Sequence, residues 1–451
     1  MTKSENLWNH LISTLWFVPM FLVLAGVILG FSFVGVDYLI GDRLGYYPRL
    51  FGIHPSGARD LLAVIANSTM TIAVTAFSIT IVALTLASSQ FSPRILRNFM
   101  RDTGNQIVLG ILVGIFAYCI IVLRTIRDAS GENDSGFVPS VSVVFGIILG
   151  FVAIGCLIYF IHHVAISIQA TSIISLIAKE TLAEIKSNFP TGEDSTEIDK
   201  QTAHLLSSDD YLEINANETG YFQNADAHEL VRLAVKYDLL ITMQRKIGQF
   251  IIEGMPIMRV FSFQKGFRPD EKLVGKIISD YEVDNFRTVE GDVAFGLRQL
   301  VDIALKALSP AVNDTTTGVI CVNYLTAILY ELAKRPSCPS YFFEDGKLRL
   351  VLEQQGFEDY FDLAFNQIRQ NAGGNVTVIL VQLNSLRILS KINTTLKFKA
   401  ERRMRHKLME TQADLLFNLA EKTVSADADL KTVTRYYENV QKSLAAKKRE
   451  I

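Results

Sequence analysis

The chain has 451 residues, 49% of them hydrophobic and 20% charged, with a formal net charge of −2. That near-neutral balance excludes the dominant basic surface that nucleic-acid binding needs. Cys119, Cys156, Cys321 and Cys338 are scattered, with no CxxC pair and no Cys/His cluster at zinc spacing, so free thiols in a reducing compartment and no resident metal or cofactor are expected.

The averages hide a split. Leu11 to Val36, Leu61 to Ala87, Ile107 to Leu123 and Val141 to Ile161 are nearly free of charge, and after about Ala170 no comparable stretch recurs. A bilayer core takes roughly 20 apolar residues per helix, and each amide inside lipid must be bonded within its own segment. The expected fold is therefore a multi-pass α-helical membrane domain of four transmembrane helices (about 11–36, 61–87, 107–123 and 141–161) over residues 1–170. The first span has an over-long apolar core, an acidic Glu5 and no A-x-A site, and reads as a retained helix rather than a signal peptide. Asp37 to Asp60 reads as an outside loop rich in Gly, Tyr and Pro.

Within the second helix Asn67, Thr71, Thr75, Ser78, Thr85 and Ser89 recur at spacings of four, four, three, seven and four, with Val82 in the gap. This small, polar stripe fits a pore lining, because hydroxyls replace part of an ion's hydration shell. It equally fits close helix packing. Ser92-Pro93 is a helix start, and Arg94, Arg97 and Arg101 then share one face of a short amphipathic helix expected to lie on the inner interface. The loop carrying these arginines outweighs the one carrying Arg124 and Arg127, which places both termini in the cytoplasm. His162 and His163 end the fourth helix; adjacent positions point about 100° apart and chelate poorly, so an interfacial role is expected.

Thr171 to Ile185 continues helically, and a polar linker follows from Asn188 to Lys200, so residues 171–204 form an extension and linker. A β-rich module is expected over 205–290, with runs around Leu239 to Met243, Gln249 to Ile252 and Ile257 to Phe263, and a helix from Ala225 to Tyr237 between strands. Gly248 to Val260 resembles the pattern of small β barrel-sandwich modules, with two glycines six apart and no lysine in a swinging-arm setting. From Asp292 onward a helical domain is expected, over 291–451, with a basic cluster (Lys397, Lys399, Arg402, Arg403, Arg405 and Lys407) in its tail. That cluster reads as a solvated helix face or as an attraction to anionic lipid. Between two of these helices Asp314 is placed to cap the one beginning at Thr315 and Thr316, where free amides also make an anion site. No P-loop, GxSxG, HExxH or paired-acid set appears, so nothing proposes a catalytic role.

Phe77-Ser78, Val82-Ala83-Leu84 and the run Ala87-Ser88-Ser89-Gln90-Phe91-Ser92-Pro93-Arg94 resemble the domain-of-unknown-function 2254 family of bacterial predicted membrane proteins. So do Phe160-Ile161-His162-His163, Gly220-Tyr221, Arg287-Thr288 and Leu300 to Ala304. The family's turn reads S-P-x-N-D-P, and Thr315 stands here for the second proline; Gly291 stands before Asp292 where the family tends to have Gln. The resemblance implies an inner-membrane protein with a cytoplasmic module and no established activity. Two functions fit the chain: a homo-oligomeric ion channel or pore lined by the second helix and gated by the cytoplasmic domain, or a non-conducting membrane scaffold or sensor whose cytoplasmic domain binds a protein or small ligand.

Overall fold

Long apolar runs build the first four helices of the computed structural model: α1 (Phe17–Leu44), α2 (Pro55–Gln90), α3 (Thr103–Thr125) and α4 (Ser140–Ser167). The structure describes residues 14, 16–44, 54–95, 102–128, 136–189, 200–264, 266, 269–289, 291–335, 340–392 and 399–448. The chain folds as two compact units, an N-terminal one, Met1–Ser172, and a C-terminal one, Ile173–Ile451. Among the described residues five helices are long and apolar enough to cross a membrane: α1 to α4, with mean hydropathy from 2.1 to 2.8, and Thr315–Ala333 in the C-terminal unit, at 1.3.

Glycine governs the first crossing. Gly26 on α1 meets Gly114 on α3, where an added Cβ would run into the Gly114 carbonyl, and Gly30 faces Ile121 and the Tyr118 carbonyl. One added at Gly110 would lie 2.9 Å from the Pro19 backbone. Each helix carries a G-x-x-x-G pair, the spacing that lets membrane helices touch backbone to backbone. On α2 the packed face is Ala58, Leu62, Ala66, Thr69, Ala73, Ala76, Thr80, Ala83 and Ala87, again nearly all small. At the start of α2, Arg59 bonds the Ile126 carbonyl (3.1 Å) and the Asp128 carboxylate (2.5 Å), tying it to the end of α3.

One sequence expectation changes here. Asp37 does not open a loop, because α1 continues through it to Leu44. It is 2% exposed, and its carboxylate accepts bonds from the Val141 amide (2.8 Å), the Ser142 amide (2.9 Å) and the Ser142 hydroxyl (2.5 Å). Pro139, at the N-cap of α4, supplies no side-chain cap, so an acid from another helix satisfies those free amides. The amphipathic helix expected after Ser92 is seen only as one 3-10 turn, Pro93–Ile95, with the Ser92 hydroxyl accepting from the Arg94 amide; 96–101 lie outside the described residues, as does the start of the first span at Leu11.

In the C-terminal unit α5 (Ala170–Asn188) and α6 (Lys200–Leu206) precede two sheets. The strands are β1 (Leu212–Asn215), β2 (Gly220–Ala225), β3 (Leu239–Met243), β4 (Phe250–Ile251), β5 (Pro256–Ser262), β6 (Tyr281–Asp284), β7 (Ser340–Glu344) and β8 (Lys347–Leu352). A five-stranded sheet has the order β1-β5-β3-β8-β7, parallel only between β3 and β8, and a three-stranded antiparallel sheet has the order β4-β2-β6. All five residues of β3 are buried, as a central strand covered on both faces requires. Helices α7 (Ala227–Lys236) and α8 (Glu271–Ile278) supply Leu230, Leu233, Leu273 and Ile277 to the core on one face, and Leu205 and Leu206 of α6 pack with Leu240 and Phe261 on the other. The Gly248 to Val260 segment thus places β4 in one sheet and β5 in the other.

The chain after Asp292 is not helical throughout. The hairpin β7–β8 interrupts it, turning at Asp345-Gly346, where both residues have positive φ, as a two-residue hairpin turn requires. Leu348 and Leu350 are buried, so β8 exchanges a solvent-facing edge for a place beside β3. The remaining helices are α9 (Val293–Ala307), α10 (Thr315–Ala333), α11 (Phe357–Asn371), α12 (Val376–Ile392), α13 (Lys399–Thr423) and α14 (Asp427–Lys448). Helix α10, the fifth long apolar helix, packs against α9, α11 and α12.

Candidate functional site

The polar stripe on α2 takes its setting from the opposite side of the same helix. Successive residues turn by about 100°, so the alanine-rich packed face and the series Asn67, Thr71, Thr75, Ser78, Thr85 and Ser89 fall on roughly opposite sides. All six stripe residues are exposed on the N-terminal unit, as is Val82 between them. Packing within the bundle therefore belongs to alanines, and the hydroxyls point away from it. Thr71, Thr75, Ser78 and Thr85 each donate to the carbonyl four residues back, at 2.8 to 2.9 Å, and Ser89 donates three back, at 3.0 Å. The Asn67 side-chain amide makes no hydrogen bond among the described residues. Large apolar side chains stand exposed beside the stripe on α2 (Val74, Phe77, Ile81 and Leu86), as they do on α1 (Phe21, Leu24 and Phe31) and α4 (Phe151 and Ile158).

At one end of α3, Asp102 accepts from the Gly104 amide (3.0 Å) and lies 2.7 Å from Nε2 of His163, whose ring stacks on Tyr159. The sequence-predicted pair of histidines is thereby divided, His163 half-buried on an acid and His162 exposed. Of the three interfacial arginines, Arg94 is exposed, and Arg97 and Arg101 lie outside the described residues. Neither Asp37 nor Asp102 stood out by spacing. The signal that could have found Asp37 is an acid within an apolar helix, which needs a partner wherever it is buried.

In the C-terminal unit Asp314 is the N-cap of α10, accepting from the Thr317 amide (3.0 Å) and hydroxyl (2.6 Å). These bonds hold its carboxyl below the usual range. Thr315 is engaged elsewhere, its hydroxyl accepting from the Asn375 amide at 2.7 Å, and Thr316 follows it in the first turn. Asn313 before the cap takes φ 49°, a conformation that asparagine tolerates. A second N-cap, Asp292 of α9, is 4% exposed and pairs with Arg287 through bonds of 2.8 and 2.9 Å, while accepting from the Phe295 amide at 3.0 Å. Burial pushes the Asp292 carboxyl up and Arg287 opposes it. Gly248, at φ 82°, leaves room for this pair, since a Cβ there would strike the Asp292 carboxylate. Within the tail cluster Arg405 is 1% exposed, not on a solvated face: it donates to the Ala333 and Arg335 carbonyls at the end of α10 (2.8 and 2.7 Å) and lies over the Phe357 ring. No group of three or more His, Cys, Asp or Glu side chains converges as a metal site among the described residues.

Residues 12–387 match the DUF2254 family, described as a predicted membrane protein. An uncharacterised protein of Mycobacterium bovis and one of Mycobacterium tuberculosis are each 31% identical to this chain over 401 residues, covering 87% of this chain and 74% of the relative. No solved structure matches.

Proposed function

The chain belongs to the DUF2254 family of predicted membrane proteins, and on that premise we propose that it is a homo-oligomeric ion channel or pore whose α2 helices line the conducting path. The observation that carries the reading is the outward-facing polar stripe, set opposite the packed alanine face. A hydroxyl bonded to its own backbone tolerates lipid, but the Asn67 amide, about 18 Å along α2, does not. An amide left unpaired in hydrocarbon costs roughly 2–7 kcal/mol. Water in a lumen or a neighbouring copy removes that cost, and closed cyclic symmetry brings one α2 per subunit to a common axis.

In this reading α1 to α4 cross a bacterial inner membrane, with both termini and the C-terminal unit in the cytoplasm as a gating domain. Helix α10 does not cross in this reading: its mean hydropathy, 1.3, is well below the 2.1 to 2.8 of α1 to α4. Cysteine substitutions at Thr71, Thr75 and Ser78, probed with water-soluble thiol reagents in intact membranes, test the wet surface directly. Labelling at all three supports a lumen, and complete protection overturns it. In planar bilayers, currents across an oligomeric preparation are expected, and silence across salts and tensions counts against conduction.

A further inference from the structure

We propose that the groove between α12 and α14 is a binding site for a small organic phosphate of the nucleotide class. Its volume is about 540 Å³, within the range of about 300–1,000 Å³ of small-ligand sites. Arg387 and Lys391, one turn apart on α12, form one wall with Asn384, and Arg435, Tyr436 and Asn439 of α14 form the other. No acid lines it. Helix α12 contains no acidic residue at all; α14 keeps Asp427 and Asp429 in its first turn, and its Glu438 stands outside the lining. Arg387 and Arg435 thus face one cavity from opposite walls, with no carboxylate among its described lining residues.

The details favour a phosphate over an adventitious patch of charge. The Arg387 guanidinium is oriented by the Asn384 carbonyl oxygen, which accepts from its Nη2 at 2.8 Å and its Nε at 3.3 Å. Asparagine fixes the fork without neutralising it. Among the described residues neither Arg387 nor Arg435 forms an ion pair. Like charges held together repel, and a polyanion removes that repulsion while the planar forks bond its oxygens in pairs. The two helices are pinned beside the groove by a bond of 2.7 Å between the Ser390 and Ser443 hydroxyls, so the walls are preformed. Size selects the class. Water occupies about 30 Å³ per molecule, so a bare oxyanion of a few waters' size leaves most of the cavity unfilled. A base and sugar fill it, with the Tyr436 ring as a stacking surface and the Asn439 amide as a donor and acceptor.

This site is independent of conduction, since binding is read without current and its failure leaves the pore reading standing. The full chain in uncharged-lipid nanodiscs is titrated calorimetrically with ATP, GTP, glycerol 3-phosphate as a lipid headgroup, and inorganic phosphate. At least one nucleotide is expected to saturate one site per chain, more tightly than either small phosphate. Arg387→Gln and Arg435→Gln, on facing walls, should each weaken it about tenfold or more, as befits the loss of a charge-assisted bond. Tyr436→Leu should weaken the nucleotide and leave inorganic phosphate unchanged. Lys442→Gln, an exposed cation of α14 outside the groove, should change affinity less than twofold. The proposal is overturned if neither nucleotide saturates, if glycerol 3-phosphate or inorganic phosphate binds as tightly, if both arginine variants bind like wild type, or if Lys442→Gln matches their loss.

Discussion

The two units differ in how much of their helix packing rests on small residues. In the N-terminal unit the closest crossings fall on small residues, Gly26 against Gly114, Gly110 against Pro19 and the alanines of α2, while Tyr118 and Phe160 fill the core between helices. In the C-terminal unit they meet where side chains are largest, with Phe361, Phe365, Leu325 and Leu386 all buried. Lipid is as apolar as leucine, so burying a large side chain between membrane helices yields little, and close van der Waals approach decides. In water each buried apolar Å² is worth about 25 cal/mol, and size wins. Polar groups follow the same division. Exposed Thr71 to Ser89 satisfy themselves within one turn, whereas the buried Asp37, Arg287–Asp292 and Arg405 are held by partners on other segments or in other turns. The lesson is that hydrophobicity ranks important residues in one half of this chain and misranks them in the other.

The comparison is sharpened most by Arg287→Met, which leaves the Asp292 carboxylate buried without its cation and should cost about 3–5 kcal/mol in denaturant melts. Burial already raises the Asp292 carboxyl, and losing Arg287 raises it further. A raised folded value means that the folded state keeps a proton that the unfolded chain releases, so stability falls as pH rises through that window. The variant should therefore be less impaired near pH 4 than at pH 8, and adding Asp292→Asn should flatten the profile. Gly114→Val comes next, with no polar group involved. It should force α1 and α3 apart at a cost of about 1–3 kcal/mol, seen as a lower melting temperature in detergent. If it melts like wild type, the crossing does not depend on close approach.

Two caps compare the units at the same scale. Asp37→Ala and Asp314→Ala should each cost about 0.5–2 kcal/mol, with asparagine recovering most of it in both places. Asp314 is exposed and its carboxyl is lowered, so its contribution is complete above the unfolded value of about 3.9 and fades as pH falls through the folded one. Melts from pH 5 to 3 should show that loss in wild type and none in Asp314→Asn. The smallest effect is Thr71→Val. The hydroxyl bonds only its own helix, so stability should shift by less than about 0.5 kcal/mol, while single-channel conductance should change if the stripe lines a lumen. A large loss of stability with unchanged conductance would assign the stripe to packing between copies instead.

Much of the architecture was legible in the residues. The apolar runs located α1 to α4, and the strand and helix patterns of Leu239 to Met243 and Ala225 to Tyr237 lie close to β3 and α7. The β7–β8 hairpin was missed although Asp345-Gly346 is a strong turn signal, because the helices on both sides set the expectation for the whole region. The candidate stripe was visible as a period, but its direction was not. Alanine, serine and threonine are alike in size, so spacing alone could not say which side of α2 would be packed. The basic groove was invisible for another reason: Arg387 and Arg435 lie far apart in the chain, and only helix packing brings them to one cavity.

The amino-acid sequence by itself determined which segments are long and apolar enough for a membrane, where the turns fall and which acids can begin a helix. Those properties depend on neighbours within a few turns of the same segment. Tertiary structure alone decided that the hydroxyls of α2 face outward, that Asp37 caps a helix 104 residues away, and that β8 lies parallel beside β3. Each of these depends on which distant surface arrives to bury one face and leave the other open, and no local pattern carries that information.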